Sequence, residues 1–178
     1  MLIGDILARN ARMYGNEVAL IEREPAKNRR VEITWREFDD QANRFANGLI
    51  AKGIKKGDKV IHLMMNCIEW LPSYFGILRT GAWAVPLNFR FSAQDIKLCA
   101  GIAEGKAMIF GEEFIDRINE IKGDLSTIKD YIFLGPDEIR CDYAEKYEYV
   151  LEKSFPVNPD VEIGIEDEAG LYFTSGTT

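Results

Sequence analysis

Apolar side chains recur at helical spacing in several stretches of the chain, and these stretches alternate with short apolar runs typical of buried strands. The first such pattern predicts an amphipathic helix over residues 3–14 that ends at Gly15. Two short strands, residues 18–21 and 31–33, follow as a hairpin around a charged turn. The polar face of the first helix carries charges of both signs, which favours docking on its own domain over binding to a membrane surface.

Side-chain patterns also predict where two of the later helices begin. Thr34 and Glu37 form a T-x-x-E capping box ahead of an apolar stripe that ends near Gly53, and Ser92 with Asp95 forms a second cap. The remaining strands are predicted at residues 59–65, 83–87, 107–110 and 131–134, and the remaining helices at residues 68–80, 92–100, 112–121 and 143–153. Strands separated by helices of about ten or more residues pair in parallel. The sequence therefore predicts an α/β fold, a layered and largely parallel sheet flanked by helices.

Composition places the chain among ordinary globular proteins. It has 178 residues, of which 47% are hydrophobic and 29% charged, and this excludes disordered, collagenous and disulfide-built classes. Cys67, Cys99 and Cys141 are too widely spaced to indicate a zinc site or a disulfide framework. No stretch reaches the roughly 18 apolar residues of a membrane span, and Asp5 interrupts any signal-peptide core. We therefore expect a cytoplasmic chain without a transmembrane segment.

The distribution of charge argues against a nucleic-acid partner. Residues 1–110 carry 16 basic and 12 acidic side chains, whereas residues 111–178 carry 6 basic and 17 acidic ones. A surface that follows a phosphate backbone needs clustered Lys and Arg. The densest basic stretch, Lys27 with Arg29 and Arg30, lies in the predicted hairpin turn, where a solvated turn is favoured over an anion site.

A short strand over residues 170–173 runs directly into a segment of small hydroxylated residues around one glycine. Glycine lets the backbone N–H groups approach a ligand closely, and the hydroxyls add donors that can surround phosphate oxygens. The segment does not follow the G-x-x-x-x-G-K-[ST] pattern. A polar surface turn would have similar composition, so this loop alone is moderately specific. The candidate phosphate-binding residues are Thr174, Ser175, Gly176, Thr177 and Thr178.

Several motifs precede this loop in a recognisable order. They are Thr34-Trp-Arg-Glu-Phe38, Gly53-Ile-Lys-Lys-Gly-Asp-Lys-Val60, Asn66-Cys-Ile-Glu69, Gly81-Ala-Trp-Ala-Val-Pro-Leu-Asn88 with Arg90, and Asp167-Glu-Ala-Gly-Leu-Tyr-Phe-Thr-Ser-Gly-Thr-Thr178. Their order and rough spacing resemble the N-terminal part of the adenylate-forming acyl-CoA synthetases over essentially the whole chain. The likeness is greatest to fatty-acid and related carboxylic-acid CoA ligases, and the final motif is the most specific.

The resemblance implies a two-step reaction with a carboxylic acid, ATP, Mg²⁺ and CoA. A carboxylate attacks the α-phosphorus of ATP, which gives an acyl-adenylate and pyrophosphate, and a CoA thiol then displaces AMP. In that family the Thr/Ser/Gly loop surrounds the β- and γ-phosphates, where charge grows on the leaving group. By position, the residues from Thr174 to Thr178 inherit this role.

The resemblance also implies what these 178 residues do not contain. In the family the loop continues through a further glycine to a Pro-Lys-Gly turn, and the motifs for adenine, acyl group, Mg²⁺ and the catalytic lysine come later. We therefore expect residues 1–178 to be a partial N-terminal AMP-binding domain that ends inside its phosphate loop, with no catalytic or metal-binding residue of its own. The alternative is a catalytically silent binding or interaction module with the same fold.

Other polar residues are given structural interpretations. A lone His62 in an apolar strand is more often a structural residue than a ligand, and Asp58 after a glycine is typical of a turn. Asn88 and Arg90 follow a strand at the sheet edge where ligands bind, yet an anchor for the loop is favoured for both. The aromatic residues expected to pack helix against sheet, rather than to form an acyl pocket, are Trp70, Tyr74, Phe75, Trp83, Phe89 and Phe91.

Overall fold

An antiparallel hairpin and a parallel sheet with helices on both faces make up the fold. The computed structural model describes residues 2–174. The elements are α1 (Ile3–Tyr14), β1 (Val18–Glu24), β2 (Arg29–Thr34), α2 (Trp35–Ala51), β3 (Lys59–Leu63), α3 (Trp70–Arg79), β4 (Trp83–Pro86), α4 (Ala93–Ala103), β5 (Ala107–Gly111), α5 (Ile115–Ile121), β6 (Asp130–Leu134), β7 (Glu145–Lys146) and α6 (Tyr147–Glu152). Within residues 2–174, no helix has both the length and the apolar character needed to cross a membrane.

The parallel sheet has the strand order β4-β3-β5-β6-β7. Every neighbouring pair in it is parallel, which confirms the α/β fold predicted from the alternation of strands and helices. Alternate residues of β3 point to opposite faces: Ile61 and Leu63 join the core under α4 and α5, while Val60 joins the core under α2, α3 and α6. Both faces are buried, as expected for a parallel sheet.

Both predicted capping boxes are confirmed. At the start of α2, the backbone N–H of Glu37 donates to Oγ1 of Thr34 over 3.2 Å, and the N–H of Thr34 donates to a Glu37 carboxylate oxygen over 2.7 Å. At the start of α4, the N–H of Asp95 donates to Oγ of Ser92 over 3.2 Å, and the reciprocal bond spans 3.0 Å. Each box satisfies backbone donors that a helix N-terminus otherwise leaves unpaired.

Several predicted helix boundaries are wrong, among them the end of α4, which lies at Ala103 rather than at residue 100. The helix predicted over residues 143–153 is split, because residues 145–146 pair with β6 as the last strand of the sheet and α6 begins only at Tyr147. The helix predicted from residue 112 begins with a 3₁₀ turn, and α3 begins at Trp70 rather than at residue 68. Glu145 explains the split helix, since Lys52 and Lys153 both form ion pairs with its carboxylate and hold it beside the sheet.

The predicted hairpin is present and longer than expected. Its strands extend to Glu24 and from Arg29, and a 3₁₀ turn at Pro25–Lys27 with Asn28 in the left-handed region connects them. The basic residues of the turn are paired: Lys27 contacts Glu24, and Arg29 contacts both Glu22 and Glu24. The stretch is therefore a solvated set of ion pairs, as favoured from the sequence.

Candidate functional site

The segment after Ala169 lies against the free edge of β4. The N–H of Ala84 donates to the carbonyl of Ala169 over 3.1 Å, and the N–H of Leu171 donates to the carbonyl of Ala84 over 3.0 Å. These bonds form a parallel bridge between Ala84 and Gly170, a shorter ladder than the strand predicted over residues 170–173. The terminal segment, residues 170–173, therefore runs in the direction of the other strands and delivers Thr174 to the carboxyl edge of the sheet.

Gly170 is the point of closest approach between the terminal segment and the sheet. A Cβ at this position would lie 2.8 Å from the carbonyl oxygen of Ala84 and 3.2 Å from the ring of Tyr172. The first distance is too short for a carbon–oxygen contact, so only glycine permits this pairing. On the far side of the bridge, Leu171 and Phe173 pack on the core beneath α4 and α5.

Asn88 and Arg90 follow β4, the neighbour of the terminal segment. The Oδ1 of Asn88 accepts from the N–H of Arg90 over 2.9 Å, which is an Asx turn. The carbonyls of Phe89 and Phe91 both accept from Nη1 of Arg117, over 2.8 and 3.0 Å. Asn88 thus anchors the loop as favoured from the sequence. Arg117, which lies 27 residues beyond Arg90 in α5, was not predicted to take part.

The guanidinium of Arg90 is the exposed cation nearest in sequence to this strand end. Its Cζ lies 5.2 Å from the centroid of the Phe89 ring, and both side chains are exposed. A cation over an aromatic face is only weakly held at an exposed site. Within residues 2–174 the Arg90 guanidinium forms no ion pair, and Arg90 follows β4 at the carboxyl edge of the sheet.

A cavity of about 350 Å³ also opens at the carboxyl edge, between the hairpin and the ends of β3, β5 and β6. Its lining holds two basic residues, Arg23 and Lys27, and more acidic ones, namely Glu22, Glu24, Glu112 and Glu113. The cavity is therefore acidic on balance, which does not favour an anionic ligand. A smaller cavity of about 190 Å³ lies at the opposite edge, between α1, the end of α3 and residues 158–169. The terminal segment ends at the carboxyl edge, where the larger of these two cavities opens.

His62 is completely buried in β3, an interior strand of the sheet. Its Nε2 lies 2.8 Å from Oγ of Ser73, and the ring contacts Trp70 edge-on at a centroid distance of 4.6 Å. Burial lowers the pKa of His62 to about 3, so the ring is neutral at physiological pH. This is the environment of a structural histidine.

The cysteines and carboxylates of the described region do not form a reactive centre. Burial raises the pKa of the Cys67 thiol to about 12, so it is not a thiolate at neutral pH. Oδ2 of Asp58 accepts from the N–H of Lys55 over 2.9 Å, which is the expected turn. Within residues 2–174, no three His, Cys, Asp or Glu side chains converge to hold a metal ion.

Of the five candidate phosphate-binding residues, the structure describes one. Thr174 is exposed at the carboxyl end of the terminal segment. Ser175, Gly176, Thr177 and Thr178 lie outside the described residues. Their role therefore remains a prediction from the sequence.

Comparison with known proteins finds one family over almost the whole chain. The model of the AMP-binding enzyme family matches residues 7–178. A 3-hydroxybenzoate–CoA/4-hydroxybenzoate–CoA ligase of Thauera aromatica is 32% identical over 146 residues, which cover 82% of this chain and 28% of that protein. Long-chain-fatty-acid–CoA ligase FadD13 of Mycobacterium tuberculosis is 33% identical over 151 residues, which cover 83% of this chain and 28% of that protein.

A solved structure gives the same result for the fold. The anthranilate CoA ligase AuaEII in complex with anthranoyl-AMP superposes with a TM-score of 0.89 at 26% identity, covering 98% of this chain and 32% of that one. The chain thus spans about 28% of the length of the two curated relatives named above. What these relatives have in common is ligation of a carboxylic acid to CoA, with different acids as substrates.

Proposed function

Because the chain belongs to the family of AMP-binding enzymes, we propose that it is part of an ATP-dependent carboxylic-acid CoA ligase. In this proposal residues 1–178 are the first part of the AMP-binding domain. The full-length enzyme joins a carboxylate to AMP with release of pyrophosphate, and then transfers the acyl group to the thiol of CoA. The observation that supports it most is the Gly170 bridge, which carries a hydroxyl-rich loop to the ligand-binding edge of a parallel sheet.

The loop binds the β- and γ-phosphates of ATP. Attack on the α-phosphorus moves negative charge onto these phosphates as pyrophosphate leaves, so donors already directed at them lower the barrier. Hydroxyl groups and glycine N–H groups donate without requiring the space of a long side chain. The residues assigned to this role are Thr174, Ser175, Gly176, Thr177 and Thr178.

ATP enters this reaction as its magnesium complex. Residues 111–178 carry 6 basic and 17 acidic side chains, so the loop lies in an acidic part of the chain that repels a bare triphosphate. Mg²⁺ neutralises part of the phosphate charge and is bound by few protein ligands when it accompanies a nucleotide. Magnesium is therefore delivered with the substrate in this proposal.

For the carboxylic acid we propose a fatty acid. FadD13, at 33% identity, is named as a long-chain-fatty-acid–CoA ligase, and this supports the assignment. The hydroxybenzoate ligase is about as similar at 32% identity, so aromatic acids are the competing substrates that an assay has to include.

Carboxylate-dependent exchange of labelled pyrophosphate into ATP tests the proposal. The full-length enzyme should catalyse exchange with fatty acids of several lengths, and should form the corresponding thioester once CoA is added. Hydroxybenzoates and anthranilate serve as the competing panel, and residues 1–178 alone should give no exchange. Exchange with no carboxylate of any class would contradict the ligase, whereas exchange with aromatic acids only would contradict the fatty-acid assignment and leave the ligase intact.

A further inference from the structure

Two tyrosine hydroxyls join the terminal segment to a helix on one face of the sheet. The hydroxyl of Tyr172 lies 2.5 Å from that of Tyr74, which is a hydrogen bond across 98 residues of chain. Tyr74 belongs to α3, and Tyr172 is the second residue before Thr174. The bond therefore connects the body of the domain to the base of the candidate phosphate loop.

Tyr74 is itself firmly held. Its ring stacks on Trp70 with centroids 5.3 Å apart and planes 12° apart, one helical turn earlier in α3. The buried ring of His62 meets Tyr74 edge-on at 6.3 Å and is hydrogen-bonded to Ser73. The position of the Tyr74 hydroxyl is thus fixed by packing against both α3 and the interior strand β3.

The terminal segment depends on this contact because its backbone pairing ends early. Within residues 2–174, the last backbone hydrogen bond to β4 is the one donated by Leu171. Leu171 and Phe173 pack on the opposite face of the sheet from α3, whereas Tyr172 reaches Tyr74. The hydroxyl pair is therefore the last polar tether in the described chain before Thr174.

From this arrangement we infer that Tyr74 and Tyr172 are positioning residues for adenylation. The inference rests on the proposed function, since the object being positioned is the loop that binds the leaving phosphates. Donors lower a barrier only when they are held where charge develops, and small displacements of such groups reduce the rate. The tyrosine pair fixes the end of the terminal segment, and through it the start of the loop.

The test compares Tyr74→Phe, Tyr172→Phe and the double variant in the full-length enzyme. Each single variant keeps the aromatic ring and removes one hydroxyl. Loss of one hydrogen bond should slow pyrophosphate release by about three- to ten-fold through kcat, with little change in the KM of the carboxylate. The double variant should be no slower than the slower single variant, because both substitutions break the same bond.

Transfer to CoA from a supplied acyl-adenylate separates positioning from a general loss of folded enzyme. This second step takes place after pyrophosphate has left, so it should stay within about twofold of the unmodified enzyme, whereas a partly unfolded enzyme would lose both steps equally. Tyr149→Phe, which alters an exposed tyrosine of α6, is the matched control and should leave both steps unchanged.

The possible failures are distinguishable. If the unmodified enzyme exchanges pyrophosphate normally and the tyrosine variants match it, the positioning role is overturned while the proposed function stands. Additive effects of the two substitutions, or equal slowing of both steps, would also overturn the positioning role. An unmodified enzyme without any exchange would contradict the proposed function itself.

Discussion

Replacing Gly170 by alanine is expected to detach the terminal segment from β4. The new Cβ would lie 2.8 Å from the carbonyl oxygen of Ala84. Because the obstacle is backbone of a buried strand, the terminal segment has to move, by roughly half an ångström or more to reach an ordinary contact distance. That movement acts on the two hydrogen bonds that Ala84 forms with Ala169 and Leu171, at 3.1 and 3.0 Å.

The size of the effect follows from those two bonds. A backbone hydrogen bond contributes about 0.5–1.5 kcal/mol net, so losing both costs about 1–3 kcal/mol. Alanine also restricts the unfolded chain, which returns about 0.4–1 kcal/mol. The net cost of Gly170→Ala therefore lies between about 0 and 2.6 kcal/mol, with a midpoint of about 1.3 kcal/mol, and it falls on the terminal segment before it affects the rest of the sheet.

Amide hydrogen exchange of Leu171 is the assay, because its N–H donates directly to Ala84. Exchange at this amide should accelerate about tenfold in Gly170→Ala, since 1.4 kcal/mol is a factor of ten. Gly101→Ala in α4 is the control, because nothing lies within 4 Å of its added Cβ, and it should leave Leu171 unchanged. Unaltered exchange of Leu171 in Gly170→Ala would refute the close-approach argument.

Two further predictions concern the buried polar groups. Arg79→Met should lower the free energy of unfolding by about 3 kcal/mol in urea titrations. Arg79 is 4% exposed, and its loss leaves Asp39 without its ion-pair partner. The control is Lys97→Met at the exposed ion pair with Asp124, which should lower the free energy of unfolding by at most about 1 kcal/mol. Burial lowers the pKa of His62 to about 3 in the folded state, whereas its ordinary value in the unfolded state is 6.5. Below pH 6.5 the unfolded state therefore binds a proton that the folded state does not, so the free energy of unfolding decreases as the pH is lowered from 6.5 to about 3. Between pH 7 and pH 5 this histidine should account for roughly 2 kcal/mol of the loss, which His62→Gln should abolish; an identical loss in the variant would contradict the assignment.

Most of the fold could be predicted from patterns formed by residues close together in the sequence. Capping boxes are readable because the interacting residues are three apart, and Thr34 with Glu37 marked the start of α2 correctly. The parallel sheet followed from the alternation of elements. The pairing of residues 145–146 with β6 was not readable, since ion pairs of Glu145 with Lys52, 93 residues away, and with Lys153 hold that short strand in place.

In the candidate site, too, features formed by neighbouring residues could be predicted, whereas contacts between distant residues could not. The hydroxyl-rich loop and the loop anchor at Asn88 are visible in the sequence because each is a local pattern. Arg117 and the pair of Tyr74 with Tyr172 were missed, since each joins elements brought together only by the fold. The alternation of side chains along a strand places Tyr172 on the opposite face from Leu171 and Phe173. The sequence does not show which helix packs on that face, so the contact of Tyr172 with Tyr74 could not be predicted.

The rates of the two half-reactions in a Thr174→Ala variant of the full-length enzyme show whether the hydroxyl-rich loop binds the leaving pyrophosphate. Thr174 is exposed where the terminal segment ends, and its hydroxyl is the proposed donor to that pyrophosphate. By comparison with loss of one oxyanion donor, the substitution should cost roughly 2–4 kcal/mol in adenylation, while transfer to CoA from supplied acyl-adenylate changes much less. Ser126→Ala, at another exposed hydroxyl, should leave both rates unchanged. A Thr174→Ala enzyme that adenylates normally, or that loses only the thiol-transfer step, would show that this loop does not bind the leaving pyrophosphate.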